Sequence, residues 1–252
     1  MLSASSVRAK VLGELMFQGA RLFSTCIEVE GEGQDRVLAY KREHRPIVFV
    51  GWHGHDAVHL TAYRLLFGWT APAVIMVLDD ANGRVLQHFG QRMNLQVISL
   101  GQDPESPQWA RGVVKMIMLL RQGYDAMVAA DGPHGPPLEA KMGAALIAQR
   151  ARAVIVPTAA ACNHKIELRK RWDNHLVPLP FSRTLVHFGP PIDSYPAFGP
   201  TPQLEDIRAR FERALEVGPA RAAAALGVTC EEGSKNYDKR PHAHQSGVSE
   251  PS

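Results

Sequence analysis

The sequence predicts an α/β fold: a mostly parallel central sheet flanked by helices, with an amphipathic helix at the N-terminus. Short apolar runs such as Pro46–Gly51 and Ala73–Leu78 alternate with longer segments of helical period. Strands alternating with helices of this length imply right-handed βαβ crossovers, which make neighbouring strands parallel. The chain has 252 residues and 45% hydrophobic content, enough to fill one sizeable core without a second full domain.

Residues 5–24 come first. Val7, Val11, Leu12, Leu15, Met16, Leu22 and Phe23 recur at helical spacing, while Arg8, Lys10, Glu14 and Arg21 occupy the other positions. Such a helix either packs on the protein's own core or lies on a membrane surface, and the pattern leaves both open. Gly31–Arg36 reads as a polar connection to the first strand, Pro46–Gly51. A helix over His55–Phe67, a strand at Ala73–Leu78, a helix near Arg84–Met93 and a strand at Leu95–Leu100 follow. Pro107–Gln122 is predicted helical because Pro sits in its first turn and Gly123 just beyond its end. Asp125–Ala130 is the next strand, Glu139–Arg150 a helix, Ala153–Thr158 a strand and Thr184–Phe188 a further one. Pro202–Leu226 is a long helical region with a break expected at Gly218–Pro219. One domain is thus expected over residues 1–228, with residues 229–252 polar, aperiodic and expected to be disordered.

The formal charge of +3, from 28 basic and 25 acidic residues, is too balanced for a dedicated nucleic-acid binder. It leaves a mild preference for an anionic membrane surface. Cys26, Cys162 and Cys230 are scattered and form no CxxC pair, which points to a reducing compartment. No stretch reaches the roughly 18 apolar residues of a membrane span, and the N-terminus lacks a signal-peptide apolar region. The expectation is a cytoplasmic protein.

In open α/β sheets, ligands bind beyond the carboxyl ends of the strands. The segments there are Trp52-His53-Gly54-His55-Asp56, Asp79–Gly83, Gly101-Gln102-Asp103 and Asp131-Gly132-Pro133-His134-Gly135-Pro136. Two of them are rich in His, Asp and Gly, the types that do acid–base work and let backbone approach a ligand. His53 can serve as a general base if a carboxylate fixes its other ring nitrogen, and Asp56 is the nearest candidate in sequence. Two rivals stay open: His53, His55 and His59 as metal ligands, out of register with the dinuclear metallohydrolase pattern, or a structural His pair. Asp131 either caps a rigid turn or, with its loop, shapes a ligand cleft. Lys141 follows, facing either that cleft or solvent.

At these residues the chain resembles a family. Trp52-His53-Gly54, Asp131–Pro136, Lys141–Ala144, Ile155–Pro157, Arg171–Ser182 and Phe188–Ile192 recur in this order in a bacterial family. That family is catalogued as a domain of unknown function within the lysophospholipid (glycerolipid) acyltransferase superfamily, and the likeness covers roughly residues 10–195. The resemblance implies a glycerolipid-acyltransferase-like fold, peripheral on the inner face of the cell membrane. It implies transfer of a fatty acyl group from acyl-CoA or acyl carrier protein to a lysophospholipid-like hydroxyl, with no other cofactor and no metal. His53 looks like the catalytic histidine, with Asp56 or Asp131 orienting it, and Asp131, Gly132, Pro133, His134, Gly135, Lys141, Trp172 and Asp173 line the substrate site. The sequence departs from the superfamily's His-x4-Asp pattern, with Val at 58, and Ser99-Leu100-Gly101-Gln102 lacks the Arg-Gly-Ser-Ser arginine. These departures suit a second class, a non-catalytic relative that binds a lipid or a partner protein.

Overall fold

The structure is a computed structural model, and it describes residues 4–168 and 170–228. The expected polar tail lies outside the described residues. In chain order the elements are α1 (Ala4–Ser24), β1 (Glu28–Glu32), α2 (Gln34–Arg42), β2 (Ile47–Gly51), a single 3-10 turn (His53–His55) and α3 (Asp56–Phe67). Next come β3 (Ala73–Leu78), α4 (Ala81–Arg92), β4 (Gln96–Leu100), α5 (Pro107–Arg121), β5 (Asp125–Ala129), α6 (Gly143–Ala151) and β6 (Val154–Cys162). The last are β7 (Lys165–Leu168), β8 (His175–Pro178), β9 (Arg183–Phe188), β10 (Ile192–Asp193) and α7 (Leu204–Leu226).

Eight strands form one sheet in the order β1-β9-β6-β2-β5-β3-β4, with β10 pairing the start of β6. From β6 through β2, β5 and β3 to β4 every pairing is parallel. β9 runs antiparallel to β6 and takes β1 as its parallel edge partner. The sheet is therefore mostly parallel, as expected, with a reversed pair at one side. The central strands β2 and β6 are apolar on both faces because helices cover both. Ile47 and Phe49 of β2 join one apolar layer, with Phe17 of α1, Val37 of α2 and Val58 of α3. Val48 and Val50 point the other way, into a layer with Met116 of α5, Ile147 of α6 and Phe211 of α7.

The helical caps follow the chemistry of their residues. Ser106 accepts from the Trp109 N–H at 3.2 Å to start α5, and Asp80 accepts from the Gly83 N–H at 2.6 Å to start α4. α6 begins at Gly143, later than the predicted Glu139, because residues 137–142 are used as a turn after the proline-rich loop. α7 is continuous across Gly218–Pro219, where a break was expected. Both residues are buried, and a Cβ at Gly218 would stand 2.8 Å from that of Ala159, so close packing on β6 holds the helix through its proline.

The expected polar connection Gly31–Arg36 is instead the end of β1 and the start of α2, and neither α2 nor β10 was read from the sequence; two further features were missed as well. The edge strand β1 carries Glu28, Glu30 and Glu32 with little apolar signal, a composition that discourages edge-to-edge pairing. The other is the two-stranded antiparallel ribbon β7–β8, in register Ile166↔Val177 and Leu168↔His175. Its connecting loop reaches the site described next.

Candidate active site

β2 and β5 are neighbours, yet the chain leaves them in opposite directions. From β2 it passes through α3 to β3, beyond β5; from β5 it passes through α6 to β6, beyond β2. The helices α3 and α6 accordingly lie in different apolar layers. Such a switch point opens a crevice at the carboxyl ends of the two strands. Gly51 pairs with Ala129 there, so His53 and Asp131, each two residues further on, meet across the crevice.

They are joined directly. The His53 main-chain N–H donates to Asp131 Oδ1 at 2.9 Å, and the Leu138 N–H donates to Oδ2 at 3.3 Å. Asp131 is 2% exposed, and burial raises its pKa against the opposing effect of those two amides. Its carboxylate ties the His53 turn to the loop over residues 131–138. That is closer to a capping role than to a ligand contact.

The carboxylate on the His53 ring is neither Asp56 nor Asp131. It is Asp173, whose Oδ2 lies 2.7 Å from His53 Nδ1. Asp173 sits in the loop of the β7–β8 ribbon, and its side chain is fully buried. Arg171 grips the same carboxylate, Nε to Oδ1 at 2.9 Å and a terminal nitrogen to Oδ2 at 3.1 Å, and His175 Nδ1 is 3.2 Å from Oδ2. Burial disfavours the charge on Asp173, but the hydrogen bonds from His175, His53 and Arg171 overcome it and hold the carboxyl far below its usual range. An ionised Asp173 requires His53 Nδ1 to donate, which leaves Nε2 as the acceptor.

Burial also works against the imidazolium of His53, yet the hydrogen bond to Asp173 and the fields of Asp56, Asp173 and Asp131 raise its pKa above the ordinary value. Asp56 acts through that field. It opens α3, and burial pushes its pKa up to about 6. The expectation that Asp56 orients the imidazole is corrected: at the first turn of α3 it contributes charge, and the ribbon supplies the hydrogen bond.

Two glycines allow the ribbon to close on the turn. A Cβ at Gly54 would lie 2.2 Å from the Asp173 carbonyl oxygen, and one at Gly135 would lie 3.0 Å from the Trp172 ring. Trp172 thus stands between the two loops, its ring centroid 5.0 Å from that of His53. Gly132 and Gly135 both have positive φ, which glycine adopts without a steric cost. The Gly132 N–H donates to the Ala129 carbonyl, so it is not turned toward an oxyanion.

The structure therefore brings together His53, Asp56, Asp131, Gly135, Trp172 and Asp173, and adds Arg171 and His175, which the sequence reading passed over. Pro133 is half-buried in the same loop. Lys141 precedes α6 in the turn and pairs with Glu139 at 2.5 Å, and His134 is exposed. The proposed metal trio does not assemble. His55 and His59 meet edge to face, their ring centroids 5.9 Å apart, with burial pressing their pKa values down to about 4 and about 3. Among the described residues, the group whose donor atoms converge is His53, Asp173 and His175, all within 4.8 Å. Those three could hold a metal ion, although Arg171 already occupies both oxygens of Asp173.

Two cavities lie away from this site. One of about 260 Å³ opens beside Phe17, Arg21 and Trp69, and one of about 170 Å³ lies between Pro190–Ile192 and α7. Neither is lined by His53, whose imidazole stands 25% accessible at the crevice.

Fold and site define a class: an α/β protein with a histidine–carboxylate pair at the switch point of a mostly parallel sheet. The chain is similar to an uncharacterized protein of Rickettsia prowazekii (strain Madrid E), RP090, with 25% identity over 149 residues. The similarity covers 58% of this chain and 63% of that protein, less than two thirds of its length. No family model matches the chain. No helix among the described residues is long and apolar enough to cross a membrane.

Proposed function

We propose that the protein is an acyltransferase of glycerolipid-acyltransferase type, moving a fatty acyl group from a thioester donor to a lipid hydroxyl. The observation that carries the reading is the His53–Asp173 pair at the crevice edge, its Nδ1 held at 2.7 Å and its side chain 25% accessible. In this reading Nε2 removes the proton of the acceptor hydroxyl as that oxygen attacks the thioester carbonyl. The C–S bond then breaks and the thiolate leaves, taking the proton back from the imidazolium. Asp173 stabilises the imidazolium while it exists, with Arg171 and His175 keeping Asp173 ionised.

The resemblance over residues 10–195 adds the substrate class, acyl-CoA or acyl carrier protein as donor and a lysophospholipid-like acceptor. Asp173 replaces the carboxylate that the superfamily carries five residues after its histidine, where this chain has Val58. The departure from the family pattern is thus compatible with catalysis. The test is transfer of radiolabelled acyl chains from acyl-CoA and from acyl carrier protein to a panel of lysolipids. Lipid product that disappears in His53→Ala supports the reading; no transfer to any acceptor from either donor removes it. The convergence of His53, Asp173 and His175 favours one second reading, a metal-assisted hydrolase, and stoichiometric zinc in the purified protein would select it.

A further inference from the structure

The ribbon that supplies Asp173 has an unpartnered outer face. Ile166 (49% exposed), Leu168 (42%) and Val177 (37%) point outward from β7 and β8, with Ile166 and Val177 directly opposite one another. Phe181, in the connection to β9, is 81% exposed and is anchored through its N–H to the Cys26 carbonyl. The loop at the ribbon's tip presents exposed Lys170 and Arg171 and the part-exposed indole of Trp172. Residues 163–183 carry five basic and two acidic side chains, and both acids are engaged, Asp173 by Arg171 and Glu167 by Lys165. Branched aliphatic side chains, aromatics at the boundary and a basic tip are the composition of an element that sits in a lipid headgroup layer.

We infer that the β7–β8 ribbon, with Phe181, docks on an anionic bilayer and brings the His53–Asp173 pair to the lipid surface. The choice of a bilayer as occupant rests on the lipid-acceptor reading above and on charge complementarity with Lys170 and Arg171. The consequence is a coupling. Asp173, Arg171 and Trp172 lie between the docking strands, so the contact that finds the membrane also carries the carboxylate that activates His53. A lysolipid whose glycerol hydroxyl lies at the headgroup level would meet Nε2 with its acyl chain still in the bilayer. That arrangement needs no enclosed acyl groove in the protein.

The experiment is co-sedimentation of the full chain with phosphatidylcholine vesicles and with phosphatidylcholine–phosphatidylglycerol vesicles. The wild type is expected to bind the anionic vesicles at least roughly tenfold better, and to lose that preference as salt rises. Ile166→Asp/Val177→Asp/Phe181→Asp is expected to lose at least roughly tenfold in partition. Should that variant fold poorly, Phe181→Trp reports instead: its added indole emission shifts to the blue on anionic vesicles if the ribbon docks. Undiminished binding by a folded triple variant, or an added emission that stays unshifted in Phe181→Trp, overturns the inference. Normal vesicle binding with loss of turnover only when acyl carrier protein is the donor also overturns it, and assigns the face to that acidic partner. His53→Ala separates the two claims: it is expected to bind vesicles as the wild type does, so docking without any acyl transfer by the wild type would remove the chemistry and leave the surface.

Discussion

His53 and Asp173 are 120 residues apart in sequence, and their hydrogen bond is what turns a loop histidine into an oriented base. An imidazole without that partner would not be held in one tautomer, and the form with its proton on Nε2 cannot take the proton of the acceptor there. His53→Ala is expected to lower acyl transfer by roughly 10²–10⁴-fold while the protein keeps its melting transition. Asp173→Asn should act in the same direction and carry a signature that a purely structural change would not. Asp173 is among the groups that raise the His53 pKa, against burial, which lowers it. The wild-type rate is therefore expected to climb with pH through a value above the ordinary 6.5 or so of histidine, as Nε2 loses its proton. In Asp173→Asn that limb should move to lower pH while the plateau falls. A plateau that falls with the limb unmoved would take Asp173 out of the acid–base pair.

At the scale of elements, what could be read from sequence was whatever had local apolar contrast. β2 and β3 are uninterrupted apolar runs, β4 and β5 are mostly apolar, and α5 has Ser106 before it, Pro107 at its start and Gly123 after it, so their places were legible. The loops after β2 and β5 were legible as a site for the same reason, because the ends of parallel strands are where ligands gather. The ribbon was not. Lys165–Leu168 and His175–Pro178 are four residues each, alternate weakly, and owe their pairing to the turn they cover. With the ribbon went the identity of the carboxylate on His53, since nothing local in Trp172-Asp173-Asn174 marks Asp173 as a partner for residue 53. Gly54 is where this docking is most sensitive. Gly54→Ala would drive a methyl group to 2.2 Å from the Asp173 carbonyl oxygen, so the loop must withdraw. The expected result is about 1–3 kcal/mol less stability and a loss of turnover comparable to Asp173→Asn, measured by urea unfolding beside the acyl-transfer assay. Wild-type turnover in Gly54→Ala would mean that the close approach is not needed. The alternatives for α1 resolve differently: Ala9 and Phe17 are buried, whereas Leu15 is 63% and Leu22 71% exposed, so the helix packs by one stripe and leaves the other uncovered. Leu15→Asp/Leu22→Asp should therefore change the unfolding free energy by no more than roughly 0.5 kcal/mol for each of the two surface substitutions. A loss of several kcal/mol would instead make that stripe part of the packed interior.

For the molecule as a whole, the arrangement places histidines of opposite character within one turn of chain and the helix that follows. His53 gains stability from its proton: its folded pKa lies above the unfolded value, so its contribution is complete below about 6.5 and fades as pH rises through the folded pKa. His55 and His59 do the reverse. Burial holds them neutral, at about 4 and about 3, so between those values and about 6.5 the unfolded chain takes up protons that the folded one refuses. Stability then falls as pH falls from about 6.5 toward 4, offset in part by Asp56, which burial holds at about 6 so that the folded protein takes up its proton before the unfolded chain does. Asp173 adds its own loss only lower, below the ordinary carboxylate range of about 3.9, because its folded pKa is depressed. The acid limb of the stability curve near pH 5 is thus assigned to the buried pair on the strand-to-helix turn and α3. His59→Phe keeps the apolar volume beside Gly51, whose Cβ position is 2.4 Å from the His59 ring, and removes one of the two titrating groups. Urea unfolding at pH 7, 5.5 and 4.5 is expected to show a net loss in the wild type, on the order of 1 kcal/mol or more, and a clearly shallower slope in His59→Phe, where Asp56 offsets the one remaining histidine. A wild-type stability that stays level over this range, or a slope that the substitution leaves unchanged, would show that His59 is protonated in the folded protein and that the α3 interior admits its charge.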